Sequence, residues 1–307
     1  MSFSHRSVLL EEVVALFRPS PDKTFVDATL GAGGHSEALL AAGASVVGFD
    51  RDPRALEAAT ARLARFGSKF RPVHATFAQV EAHLHERVDG VLADIGVSSP
   101  QFDDPSRGFS FRFDAPLDMR MAAEGETAAA LIARLSAEEL EQVIHTYGEE
   151  RFAGRVAREL KVRLPQTTFE AVRAVESAIP RKAWPRDIHV ATRTFQALRI
   201  AVNAELEELD ALLGAVPRLL RPGGIAAIIS FHSLEDRLVK RAFKALCGED
   251  DAPPSPRLPK GLPLLTKPPA PTFRALTRKP LVAGDAEIEA NPRARSAKLR
   301  AVVKVSP

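Results

Sequence analysis

Asp27-Ala28-Thr29-Leu30-Gly31-Ala32-Gly33-Gly34-His35-Ser36 is a glycine-dense turn between a short apolar run and an alanine- and leucine-rich stretch. Glycine lacks a Cβ, so it accepts positive φ and lets a ligand approach the backbone; the helix start that follows offers unpaired N–H donors. The turn reads as a nucleotide-binding loop leading from a first strand into a helix. Its spacing departs from the dinucleotide pattern, because a G-x-G-x-x-G count from Gly31 and Gly33 lands on Ser36.

Around this turn, apolar runs alternate with helical periodicity. An entry helix is expected over residues 7–17. Strand-like and helix-like segments then alternate over 24–28 and 36–42, 45–49 and 53–66, 69–74 and 77–85, and a further strand is expected over 88–95. Such alternation predicts an α/β fold with a mostly parallel, doubly wound sheet covered on both faces. Between about Gly96 and Gly125 periodicity is lost, as in ordered loops that carry function. A block without strand signal follows, with capping boxes at Ser136/Glu139 and Thr167/Glu170, and reads as a helical insertion.

One long helix is expected over 192–213, with Phe195, Leu198, Val202, Leu206, Leu209 and Leu213 on one face and Pro217 marking its end. Gly223 and Gly224 introduce a buried strand over 225–231, Ser233 is placed as the cap of a helix reaching Leu246, and 299–305 read as the last strand. Residues 253–280, rich in proline and basic side chains without an acid, read as an extended surface loop. The expected division is a core of 1–112 and 206–307 interrupted by a substrate-recognition insertion of 113–205.

The 307 residues are 45% hydrophobic and 26% charged, the balance of a globular chain with a full core. A single cysteine, Cys247, forms no internal disulfide, and no secretory pattern or apolar run of membrane-spanning length is present. The expectation is a cytoplasmic protein without a membrane partner. The net charge of +3 decides little; the distribution of charge says more.

In a doubly wound sheet the ligand lies beyond the carboxyl ends of the strands, so site residues should follow strands. The glycine turn, Asp50, Phe77 and the stretch from Asp94 meet that condition. Asp50 is spaced for its carboxylate to take ribose hydroxyls, with Asp52 as the cap of the next helix; Phe77 fits a ligand wall or the core equally. Dinucleotide oxidoreductases and adenosylmethionine-dependent methyltransferases share these features, and the missing third glycine leans toward the latter.

DATLGAGGHS, FDRDP, DIGVSSPQFDD, RGFSFR with PLDMRM, TYGEERFA, ATRTFQALRIAVNAELEEL, SFHSLEDRLVKR and ENPRARSAKLR, in this order from His5 to Arg300, together resemble the bacterial small-subunit ribosomal RNA cytosine-N4 methyltransferases. The resemblance implies a Rossmann-like class I methyltransferase core with a helical insertion that helps to hold RNA. It implies S-adenosylmethionine as methyl donor, contacted by Gly33, Gly34, His35, Asp50, Phe77, Asp94 and Gln101. The implied substrate is a decoding-site cytidine of 16S rRNA, position 1402, in the small subunit or its precursor.

Chemistry read from the residues agrees with an exocyclic amine as target. Methylation at cytosine C5 generally uses an attacking thiolate, and Cys247 lies far along the chain from the strand-four loop. An amine needs instead to be aimed and relieved of a proton. Asp94 is not followed by the Pro-Pro-aromatic of other amine methylases, so the acceptor is sought at Ser98, at Asp118 in the loop with Arg120, or at His232 in Phe231-His232-Ser233. Asp118 and Arg120 read equally as a loop-holding ion pair.

Basic residues expected on RNA are Arg181, Lys182, Arg186 and Arg193 in the insertion, and Arg293 and Arg295 before the last strand; Arg237, Lys240, Arg241 and Lys244 read as a solvated face. Phe109, Phe111, Phe113 and Trp184 are candidates to stack on an extruded base. Two other readings fit parts of the chain, a nicotinamide-dependent oxidoreductase and a non-catalytic RNA-binding assembly factor.

Overall fold

The structure, a computed structural model, describes residues 7–96, 102, 104–122, 124–249 and 271–306. Its backbone contacts divide the chain into two units, residues 1–95 with 208–307 and residues 96–207.

The first unit holds a seven-stranded sheet in the order β3-β2-β1-β4-β5-β7-β6. The strands are β1 Thr24–Asp27, β2 Ser45–Asp50, β3 Phe70–His74, β4 Val88–Asp94, β5 Leu220–Ser230, β6 Phe273–Ala275 and β7 Lys298–Lys304. β7 alone runs antiparallel to its neighbours β5 and β6. β1 pairs with β2 on one side and β4 on the other, so the winding direction switches there and a crevice opens beyond Asp27, Asp50 and Asp94.

Alternation along the strands builds two cores. Val26, Val47, Phe49, Val91 and Ile228 pack with Leu209, Leu212, Val216, Val239 and Phe243. Phe25, Val46, Leu92 and Ile229 pack on the opposite face with Val13, Phe17, Leu39, Leu40 and Leu63. Both faces are covered, which is why these strands read as continuous apolar runs.

The second unit is helical: Ala128–Arg134, Ala137–Gly148, Ala153–Arg163, Thr168–Ala178 and Thr192–Asn203 enclose a separate core. Both capping boxes form, with Ser136 and Thr167 paired to Glu139 and Glu170. The unit begins at Gly96 rather than 113, because Phe109, Leu117, Met119 and Met121 are buried among its helices.

Three further expectations are corrected. The single helix over 192–213 is two, Thr192–Asn203 and Glu205–Leu219, broken at Ala204 with φ +50°. Phe195 and Leu198 therefore serve the helical core and Leu209 and Leu213 the sheet, and Pro217 lies inside the second helix rather than ending it. β6 lies within the stretch expected to be loop, recruited by pairing with β7. Residues 77–83 form a 3-10 helix rather than an α-helix. Among the described residues no helix is long and apolar enough to cross a membrane.

Candidate functional site

The glycine turn is stitched to its neighbours by backbone bonds: Ala28 N–H donates to the Leu92 carbonyl and Leu30 N–H to that of Phe49, both at 2.8 Å. Gly33 is the N-cap of the helix Gly34–Ala41 with φ +78°, where a Cβ would also press on Leu63 Cδ1 at 3.0 Å. A Cβ on Gly34 would collide with Ser7 Oγ. Glycine is thus required at Gly33 by conformation, while at Gly34 a side chain would have to turn the Ser7 hydroxyl aside.

Asp50 ends β2 and braces the turn. Its Oδ2 accepts from Gly31 N–H and its Oδ1 from Asp52 N–H, each at 2.8 Å. Each carboxylate oxygen keeps a further lone pair for a ligand hydroxyl. Asp52 caps the helix Pro53–Leu63 through Arg54 N–H at 3.0 Å. Asp27, at the end of β1, accepts from Ser36 Oγ at 2.7 Å and Thr29 N–H at 3.3 Å.

Asp94, at the end of β4, donates its N–H to Thr29 Oγ1 at 2.6 Å, while its side-chain Oδ1 is buried without a hydrogen-bond partner. All three carboxyls titrate above the usual range. Burial pushes Asp27 up to about 6 against two hydrogen bonds that oppose it. Burial also raises Asp50. Asp94 is raised to about 8, first by burial and then by the charges of Asp27 and Glu235. The strand ends thus form an acidic, desolvated pocket.

His35 is buried in the wall of this pocket, its pKa lowered to about 4 by desolvation. The neutral ring sets Nε2 3.0 Å from the Val8 carbonyl, an acceptor, so Nε2 carries the hydrogen. Its bare Nδ1 stands 3.9 Å from Asp94 Oδ2. Phe77 opens the 3-10 helix after β3, partly buried against the adjoining core. Gly33, Gly34, His35, Asp50 and Asp94 therefore surround one turn. Ser98 and Gln101 lie outside the described residues.

Beyond β5, His232 rather than Ser233 is the N-cap of the helix Ser233–Leu246; Ser233 is exposed. His232 Nδ1 accepts from Glu235 N–H at 3.4 Å, and Glu235 Oε2 accepts from the N–H groups of Phe231 at 2.8 Å and His232 at 3.2 Å. His232 Nε2 sits 3.0 Å from Glu235 Oε1 without hydrogen-bond alignment. Glu235 is wholly buried and acts on Asp94 by its charge. Sequence reading missed it because histidine is not a favoured cap; the His-x-x-Glu spacing was the available signal.

In the helical unit, Asp118 takes Arg120 bidentately, Nε to Oδ1 at 2.8 Å and Nη2 to Oδ2 at 2.7 Å. Burial alone would raise the Asp118 carboxyl, but Arg120 outweighs it and holds the group below its ordinary value. This is the loop-holding ion pair, and it leaves Asp118 a weak base. Of the expected stacking residues, Phe109 is buried, Phe111 packs on His189 and Phe195 at 4.7 and 5.0 Å, and Trp184 donates Nε1–H to the Ile179 carbonyl at 2.9 Å. Phe113 alone of the four is exposed.

Arg181, Lys182, Arg186 and Arg193 are exposed, with the Arg181 guanidinium 4.6 Å above the Trp184 ring and Arg193 reaching the Glu149 carbonyl at 3.3 Å. In the sheet unit Arg295 is exposed and Arg293 half-buried. Arg300 is committed to Asp236, Nε to Oδ1 at 2.7 Å, and Lys298 lies 3.6 Å from the same carboxylate.

Comparison with known proteins covers nearly the whole chain. The model of the MraW methylase family matches residues 2–305. The ribosomal RNA small subunit methyltransferase H of Myxococcus xanthus is 56% identical over 306 residues, 99% of this chain and 98% of that protein. Proteins of the same name from Anaeromyxobacter sp. strain K and Geobacter sulfurreducens are 52% and 49% identical, over 99% of this chain and 98% and 100% of theirs.

Proposed function

The chain belongs to the MraW methylase family, and from that premise we propose that it transfers a methyl group from S-adenosylmethionine to the N4 amine of a decoding-site cytidine in 16S rRNA. The single observation that favours this donor over a dinucleotide is the pocket of Asp27, Asp50 and Asp94. The charges that act on Asp94 are themselves acidic, and its Oδ1 is buried without a partner. An anionic pyrophosphate is repelled from such a site, whereas a ligand carrying a sulfonium and an ammonium supplies the missing positive charge and donors.

Asp50 takes the ribose hydroxyls, the turn at Gly33 and Gly34 lets the ligand approach the backbone, Phe77 lines its base, and Asp94 faces its cationic end. His35 holds the wall beside Asp94. When bound, the sulfonium supplies an electrophilic methyl and a neutral leaving group. The work left to the protein is to orient the amine and take its proton.

The one cysteine does not enter. Cys247 ends the helix Ser233–Leu246, and burial, then Glu249, pushes its thiol pKa up, so it is not poised as a thiolate for addition to a pyrimidine ring. Ser98 and His232 remain the candidate proton acceptors, and Asp118 is assigned to holding its loop. Arg181, Lys182, Arg186, Arg193, Arg293 and Arg295 are assigned to phosphates of RNA within the small subunit or its precursor, in the cytoplasm.

Calorimetric titration tests the donor assignment. S-adenosylmethionine should bind and NAD should not, and Asp50→Ala should weaken the former at least tenfold. Binding of NAD in preference would contradict the reading.

A further inference from the structure

Among the described residues, the tyrosine, the tryptophan and all but two phenylalanines are buried or half-buried; the exceptions are Phe113 at 56% and Phe169 at 38% exposure. One seam of the helical unit carries both. Thr168 N–H donates to the Ala115 carbonyl at 2.9 Å, its hydroxyl donates to the Phe113 carbonyl at 2.7 Å, and Phe169 N–H donates to Asp114 Oδ1 at 3.2 Å. Pro116 and Thr167 form an antiparallel bridge, and Leu117 N–H donates to the Gln166 carbonyl at 2.9 Å. The two backbone segments that carry these rings are therefore held together across the seam.

Burying these rings within the chain would remove apolar area from water. Phe109 is instead buried and Phe111 half-buried, while Phe113, past the bend at residues 111–113, stays exposed. Lone exposed apolar residues need no explanation, but two exposed aromatics on hydrogen-bonded neighbouring segments point to a contact surface. Exposed Val162 and Leu164 continue the apolar character at the end of the preceding helix.

Two arginines flank the seam. Arg112, beside Phe113, and Arg173, one helical turn beyond Phe169, are both exposed. Two carboxylates stand among these arginines: Asp114 is held below its ordinary pKa first by the Thr167 hydroxyl, with Arg173 contributing, and Glu170 accepts from the N–H groups of Gln166 and Thr167, so both stay charged and directed at their neighbours. Arginine side chains and exposed π-faces are the two components of a surface for unpaired nucleic acid.

We propose that Phe113 and Phe169 form a stacking platform for unpaired bases of the RNA substrate, with Arg112 and Arg173 on the flanking phosphates. This rests on the reading that the substrate is RNA. A base that must leave its helix to meet the methyl donor leaves neighbours unstacked, and such a platform would hold them.

The test is fluorescence anisotropy with a labelled single-stranded oligocytidine RNA and the full chain. Exchanging both rings for leucine keeps apolar bulk and removes the π-faces. Because base–aromatic stacking is worth about 1–3 kcal/mol per base, the Phe113→Leu, Phe169→Leu double variant should bind at least about 30-fold more weakly, and tryptophan at both positions should restore affinity. Arg112→Gln and Arg173→Gln should each lower the slope of log affinity against log salt by about 0.7. In methyl transfer to small-subunit RNA the leucine variant should raise KM and leave kcat unchanged.

Equal oligonucleotide affinity of leucine variant and wild type would overturn the proposal. So would self-association of the wild type that Phe113→Ser abolishes without change in RNA binding, since a second copy would then be the occupant. If the wild type transferred no methyl group to RNA, the proposed function would fail, while anisotropy would still decide the platform.

Discussion

Replacing Asp94 by asparagine should abolish a proton release that accompanies binding of S-adenosylmethionine. Asp94 titrates at about 8 in the unligated protein, so at pH 7 its carboxyl is about nine-tenths protonated. A cationic ligand against Asp94 selects the carboxylate, and ionising it costs one pKa unit at pH 7, about 1.4 kcal/mol or tenfold in Kd. Below pH 8 the Kd should therefore tighten up to tenfold per pH unit, with about 0.9 proton released per ligand at pH 7.

The same shift acts on stability with a definite sign. The unfolded chain gives up the Asp94 proton near the ordinary aspartate value of 3.8, whereas the folded chain keeps it to about 8. Between those values the unfolded state binds fewer protons, so the unligated fold loses stability as pH rises, and bound cation offsets the loss. Calorimetry in two buffers of different ionisation enthalpy counts the protons. Because the ligand's own amino group titrates near ~8, the Asp94→Asn variant supplies the baseline. If wild type and variant released equal numbers of protons from pH 6 to 8, the assignment of Asp94 to the cationic end would be refuted.

Three substitutions test the supporting framework. Gly108 has φ +68°, and a Cβ there would strike the Pro116 carbonyl oxygen, so Gly108→Ala should destabilise the helical unit by about 2 kcal/mol or more, read as an earlier urea midpoint; an unchanged midpoint would deny the close approach. Ala204→Gly at φ +50° should stabilise by about 0.5–1 kcal/mol in the same assay, and a destabilised variant would show that the helix break is not left-handed. Lys304 is buried and donates Nζ to the Pro217 and Leu220 carbonyls at 2.8 and 3.0 Å, where the helix Glu205–Leu219 passes into β5; Lys304→Met strands both acceptors and should cost about 1–3 kcal/mol, and a neutral result would show that these bonds add nothing to stability.

Much of the sheet could be read from sequence because strands buried on both faces leave apolar runs that glycine turns punctuate. Asp52 could be read as the cap because a cap must sit one residue before the helix, where Pro53 marks the first turn, whereas Asp50 ends the strand. The break at Ala204 was hidden: apolar period continues through it, and the cause is tertiary, with the Asn203 amide bound to the carbonyl of Met119 and its oxygen taking Met121 N–H. β6 owes its three residues to β7, a partner far along the chain that local propensity cannot report. Phe109, Met119 and Met121 lie in a loop without period, yet they are core because the loop packs into the helical cluster, a tertiary contact that local pattern cannot report. Glu235 escaped notice since its meaning depends on Asp94, brought beside it by pairing of β4 with β5.

The most direct measurement compares modified cytidines in 16S rRNA from cells with and without this chain, by nuclease digestion and mass spectrometry. A decoding-site fragment carrying N4-methylcytidine should be present with the chain, disappear when it is deleted, and return with wild type but not with Asp94→Ala. An N4-methylcytidine signal unchanged by deletion would contradict the account.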